Sequence, residues 1–124
     1  MRIVMILVAL LALGGCTRWA MNSHLNNANR AYAQGDCDAV MYNLSKVDRE
    51  SRSRRYVQPE VSMLRGQCLE RQKFYMDAVQ TYQYIITQFP ESEYAFRAKA
   101  RLDTLHQLGH DNLAPPATPR AASR

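Results

Sequence analysis

Apolar residues recur along this chain at helical spacing, in five runs separated by short polar connections. Leu25, Ala28, Ala31 and Tyr32 share one side of a helix predicted over 22–34. Gly35 ends it, and Asp36 or Cys37 opens a second helix with Val40, Leu44 and Val47 on its inner face. Pro59 suits the first turn of a third helix, 60–71, in which Met63, Gly66 and Leu69 face inward. After a break at 72–74, Ala78, Tyr82, Ile85 and Ile86 fall at i, i+4, i+7 and i+8 and define the fourth, which Pro90 stops. Ser92 is a fitting N-cap for the fifth, Glu93 lies in its first turn, and Ala95, Ala98, Leu102 and Leu105 form a narrow stripe before Gly109. The pattern predicts an all-α domain over 22–108, followed by a Pro- and Ala-rich tail, 109–124, that has no periodicity and is expected to be disordered.

The helices repeat. An offset of 38 residues links Val40 to Ala78, Leu44 to Tyr82, Val47 to Ile85, Ala28 to Gly66 and Ala31 to Leu69. Small Gly66, small Ala78, aromatic Tyr82 and Pro90, in that order, resemble the tetratricopeptide repeat. The usual period of that family is about 34 residues, so the extra length falls in the connection 49–58. Leu69 replaces the usual aromatic, Lys73 stands in the place of the hairpin glycine, Val40 replaces a small residue, and no proline closes the first repeat. The resemblance implies a short α–α solenoid of about two and a half helical hairpins that binds other proteins and catalyses nothing. The stretch FPESEYAFRAKARL is similar to the way repeats end and restart in the repeat-containing lipoprotein of the outer-membrane assembly machine and in the Tol-associated cell-division coordinator. The family's clamp for a peptide carboxylate is not expected. Asn29 matches one of its amides, but Leu25, Leu64, Tyr94 and Ala98 stand where basic or amide side chains belong. A protein partner is therefore expected against Tyr32, Met63, Tyr84, Tyr94 and Phe96, some of which also suit the core.

Before the repeats, Arg2 precedes an apolar run, 3–13, shorter than the roughly 20 residues that span a bilayer, which is the pattern of a signal peptide. Its end, Leu13-Gly14-Gly15-Cys16, resembles the lipobox of bacterial lipoproteins. The resemblance implies cleavage of residues 1–15, diacylation of the Cys16 thiol, acylation of the new amino group, and a spacer over 16–21. An ordinary leader or uncleaved anchor is the alternative. Thr17 stands where an aspartate would be the retention signal for the inner membrane, which implies the periplasmic face of the outer membrane. Trp19 either touches the membrane surface or packs on the first helix.

Charge narrows the partners. The chain has 16 Lys and Arg against 11 Asp and Glu, a surplus too small and scattered for nucleic acid. Arg49, Arg52, Arg54 and Arg55 make the connection 49–58 either a solvated loop or an anion contact for lipid head groups or an acidic partner. Three cysteines are present, and once Cys16 is acylated Cys37 and Cys68 remain. In an oxidising periplasm an even pair invites a disulfide, and the repeat register places both on neighbouring antiparallel helix ends; two buried small apolar residues are the alternative. Nothing points to an enzyme, a cofactor, a metal or a small-molecule substrate. His106 and His110 have helical ligand spacing, but Gly109 interrupts the helix between them and no acid or cysteine completes a set. The functions that fit are a lipid-anchored scaffold for envelope assembly, a pilotin-like escort of a pore subunit, or an accessory to peptidoglycan and its enzymes.

Overall fold

The computed structural model describes residues 1–52 and 54–111, with the backbone alone for 12–15. The proline-rich tail from 112 onward lies outside the described residues, as does the expectation of disorder there. Among the described residues the chain is all-α without strands: α1 Arg2–Ala33, α2 Cys37–Glu50, α3 Gln58–Arg71, α4 Tyr75–Gln88 and α5 Glu93–Gln107, with one 3-10 turn, Arg55–Val57. The helices pack antiparallel in sequence order, and α3 also touches α1 and α5.

Local chemistry explains the boundaries. Asp36 caps α2 by accepting from the Ala39 amide at 2.9 Å, and Ser92 caps α5 by accepting from the Ala95 amide at 3.2 Å. Each such cap is worth about 1 kcal/mol. The odd-numbered helices all end alike. Asp36 N donates to Ala31 O and Gly35 N to Tyr32 O; Phe74 N donates to Leu69 O and Lys73 N to Glu70 O; His110 N donates to Leu105 O and Gly109 N to His106 O. These paired bonds need a left-handed residue at the turn, and Gly35, Lys73 and Gly109 have φ of 79°, 66° and 72°. Lys73 adopts that conformation at a cost of about 1 kcal/mol that glycine does not incur.

Two clusters make the core, and α3 is the wall between them. Val61, Leu64 and Cys68 join Ala28, Val40, Leu44 and Val47 on one side, while Met63 joins Ala78, Tyr82, Ile85, Ala98 and Leu105 on the other. At the 38-residue offset, Val40 and Ala78, Leu44 and Tyr82, and Val47 and Ile85 are all fully buried. Gly66 is small because α4 leaves no room: a Cβ there would lie 2.6 Å from the Tyr82 ring.

Two features differ from the sequence pattern. α1 runs unbroken from the apolar leader into the domain: no proline interrupts 2–33, and the helix continues through Gly14-Gly15 and past the cap-type residues Asn22 and Ser23. The core also begins earlier than 22, since Met21, expected in the spacer, is 1% exposed and belongs to the first cluster.

Candidate interaction surface and anchor

α1 divides into two physical halves. Ile3, Val4, Met5, Ile6, Leu7, Val8, Leu10 and Leu11 are exposed, whereas Met21, Ala28 and Ala31 are packed. By length and composition the helix is apolar enough to cross a membrane, a character that signal sequences share. Cys16 lies between the halves with its thiol exposed and unbonded, and Trp19, one turn further, is 76% exposed rather than packed on the domain. The side chains of Leu13, Gly14 and Gly15 lie outside those described.

Cys37 and Cys68 form a disulfide across a Cα–Cα distance of 5.4 Å. It ties the first turn of α2 to the end of α3, and both residues are buried in the first cluster. A disulfide points outside the reducing cytoplasm, in agreement with the apolar, signal-like start of α1.

The five residues expected to meet a partner do not form one surface. Met63 is 2% exposed and belongs to the second cluster, so it packs the core because its position on α3 faces α4 and α5. Tyr94 is half-buried against the same cluster, and its phenol is held above the usual range by burial and then by Glu60 and Glu93. Tyr32 is half-buried beneath the Arg71 guanidinium, 3.8 Å from its ring, and Arg71 also donates to the Tyr32 carbonyl at 2.9 Å. Tyr84 and Phe96 are exposed, with the Tyr84 ring set edge-on to Phe89 at 5.9 Å.

Three of the five clamp positions come together, while Leu25 and Ala98 stay outside the cleft and Ala98 is buried in the second cluster. Asn29, Leu64 and Tyr94 line a cleft of about 60 Å³ with Glu60, Met63, Gln67 and Arg97. The Asn29 amide is already engaged, donating to Leu25 O at 3.1 Å and to Glu60 Oε1 at 3.3 Å.

A larger open cleft, about 330 Å³, gathers Tyr32 with Arg71, Tyr75, Arg101 and His110 at the end of the array where α1, α3 and α5 terminate. Apart from Tyr32 and His110, the sequence pattern singled out none of these residues. Under the cleft, Glu70 accepts from the Tyr82 hydroxyl at 2.7 Å and from Arg101 through both Nε, at 3.1 Å, and a terminal nitrogen. Burial and the Glu70 carboxylate push the Tyr82 phenol far above its ordinary value, and the bond to Glu70 raises Arg101. Tyr75 stacks on His110 with ring centres 3.8 Å apart, completing one wall. The cleft therefore presents aromatic faces with Arg71 and Arg101 against the single acid Glu70. Such a lining suits hydrogen-bonded, weakly anionic or aromatic groups.

Among the described residues no group of three or more His, Cys, Asp or Glu side chains is placed to hold a metal. His106 Nδ1 meets Asp111 Oδ2 at 2.6 Å, while His110 turns to Tyr75, so the two imidazoles do not converge. Of the four arginines of the α2–α3 connection, Arg49 and Arg52 are exposed and Arg54 is half-buried. Arg55 donates to Gln88 Oε1 at 3.1 Å and lies over the Phe89 ring. Comparison of the chain with known families, curated proteins and solved structures finds no match.

Proposed function

We propose that the protein is a lipid-anchored, non-enzymatic scaffold at the periplasmic face of the outer membrane, presenting a short tetratricopeptide-like solenoid to an envelope partner. The observation that carries this reading is the division of α1, in which an exposed apolar start, an exposed free Cys16 and a packed segment from Met21 follow one another. Cleavage before Cys16 removes the unpacked half and leaves the domain's own contacts intact. Each methylene of an acyl chain then contributes about 0.8 kcal/mol to membrane retention, so two or three chains anchor a domain of this size. The solenoid reading is supported by the 38-residue offset between buried positions and by the shared ending of α1, α3 and α5. In this register α1–α2 and α3–α4 are two hairpins, and α5 is the first helix of a third.

Replacing Cys16 with Ala should abolish acylation and release the protein from the outer membrane while its helical circular dichroism stays unchanged, because the thiol makes no contact with the core. Labelled palmitate incorporated equally into the Cys16→Ala protein would contradict the anchor. The same membrane fraction supplies the partner test: cross-linking followed by mass spectrometry should recover an envelope protein. A pore subunit or a cell-wall enzyme as the product would reassign the scaffold to escort or peptidoglycan work.

A further inference from the structure

The end of the array from which the apolar half of α1 departs also carries the connection between α2 and α3, because the helices alternate in direction. His24 Nε2 lies 3.7 Å from Glu50 Oε1, which sets the end of α2 level with residue 24 of α1. At about 1.5 Å per helical residue, Trp19 stands roughly 7 Å beyond that level and Cys16 roughly 12 Å beyond it. Arg49 adjoins Glu50 in sequence, Arg52 and Arg54 follow in the turn closed by Arg54 N donating to Ser51 O at 2.7 Å, and Arg18 lies on α1 between residue 24 and Cys16. Two aromatic side chains accompany them without packing on the domain, since Trp19 is 76% and Tyr56 68% exposed.

The acids of the same end offset this edge only in part. Asp48 is paired with Arg65, Glu50 and Glu60 lie beside His24 and Asn29, and Glu91 and Glu93 sit at the start of α5, which makes no contact with α1. Glu50 and Glu60 set against Arg18, Arg49, Arg52 and Arg54 leave a surplus of two positive charges. Arg55 is spent laterally on Gln88 and Phe89. Positive charge is therefore concentrated beside the helix that leads to the anchor. Long arginine stems reach toward an interface, and the distance that remains is within the Debye length of about 8 Å at physiological ionic strength. Exposed indole and phenol rings favour the head-group layer for the same amphipathic reason.

We infer that the α2–α3 connection is a membrane-contact surface, on which Arg18, Arg49, Arg52 and Arg54 meet the phosphates of anionic phospholipids and Trp19 and Tyr56 enter the head-group layer. This rests on the acylation of Cys16 proposed above. Because α1 runs as one helix from the anchor into the core, the contact holds the domain upright. The cleft of Tyr32, Arg71 and Arg101, at the other end of the array, then faces away from the bilayer.

The test uses the acylated protein carrying Trp19→Phe and Tyr56→Trp, so that its single indole reports on the connection. It is reconstituted in vesicles of phosphatidylcholine, alone or mixed with phosphatidylglycerol, that contain a head-group quencher. Quenching of the indole at position 56 should be strong with phosphatidylglycerol, and should fall several-fold without it or in high salt. In the Arg49→Gln, Arg52→Gln, Arg54→Gln variant the contact should weaken by roughly fivefold per arginine removed. Protein that floats with the vesicles while its indole stays unquenched, or is quenched equally with and without phosphatidylglycerol, overturns the inference and leaves the anchor standing. An acidic protein surface as the true occupant gives the first of these results. Protein that does not float with either vesicle overturns the anchor itself.

Discussion

Ala78→Glu should abolish the folded domain. Ala78 is fully buried in the second cluster, on the face of α4 that also carries Tyr82 and Ile85. A glutamate there must place a carboxylate among Met63, Tyr82 and Ala98, or drive α3 and α4 apart. Burying an unpaired charge costs several kcal/mol, and overfilling a packed core adds about 1–3 kcal/mol. A small domain has about 5–15 kcal/mol in total, so the variant should lose helical circular dichroism and cooperative melting. Retention of both at the wild-type melting temperature would show that α4 does not pack through this face. The close approach of Gly66 to Tyr82 makes that retention incompatible with the α3–α4 hairpin.

Removal of the disulfide should have the second-largest effect. The Cys37–Cys68 bond encloses a separation of 31 residues, for which the chain-entropy account gives about 3–4 kcal/mol. Both sulfurs also fill core volume, Cys68 being fully buried. The double variant Cys37→Ala, Cys68→Ala should melt roughly 15 °C lower, or fail to fold at 37 °C. Thiol labelling of the denatured, acylated wild type should find no thiol before reduction and two after. Two thiols before reduction would contradict the bond. An unchanged melting temperature in the double variant would show that the first cluster needs no staple.

The helices and their limits were legible in the sequence wherever a local rule decides them. Asp36 and Ser92 are caps, Pro90 stops α4, and the 38-residue offset marked Val40 and Ala78, Leu44 and Tyr82, and Val47 and Ile85 as paired core positions. The same offset placed Lys73 opposite Gly35, and both are left-handed. Helical register on α2 and α3 also brought Cys37 and Cys68 together. Three things were not legible. The continuity of α1 has no periodic signal, because an all-apolar stretch and an amphipathic one meet across Gly14-Gly15, residues that by propensity suit the end of a helix better than its interior. Met63 could be read either as an inward-facing residue or as a partner contact, since α3 contributes to two clusters and has no single apolar stripe. The Glu70, Arg101 and Tyr82 network joins residues 12 and 31 positions apart, spacings set by the packing of α5 on α3 rather than by any helical repeat. The open cleft was invisible for that reason, whereas register located the clamp positions and already showed their side chains to be unsuited, and three of them, Asn29, Leu64 and Tyr94, line one small cleft.

Cys16 as the first residue of an acylated mature protein is the central claim. The intact mass of the protein taken from isolated membranes, unreduced, addresses this directly. The predicted spectrum is that of residues 16–124 carrying a diacylglyceryl group, usually a further acyl chain, and one internal disulfide. A full-length chain beginning at Met1 with an unmodified Cys16 thiol, or a cleaved chain without lipid, would contradict it.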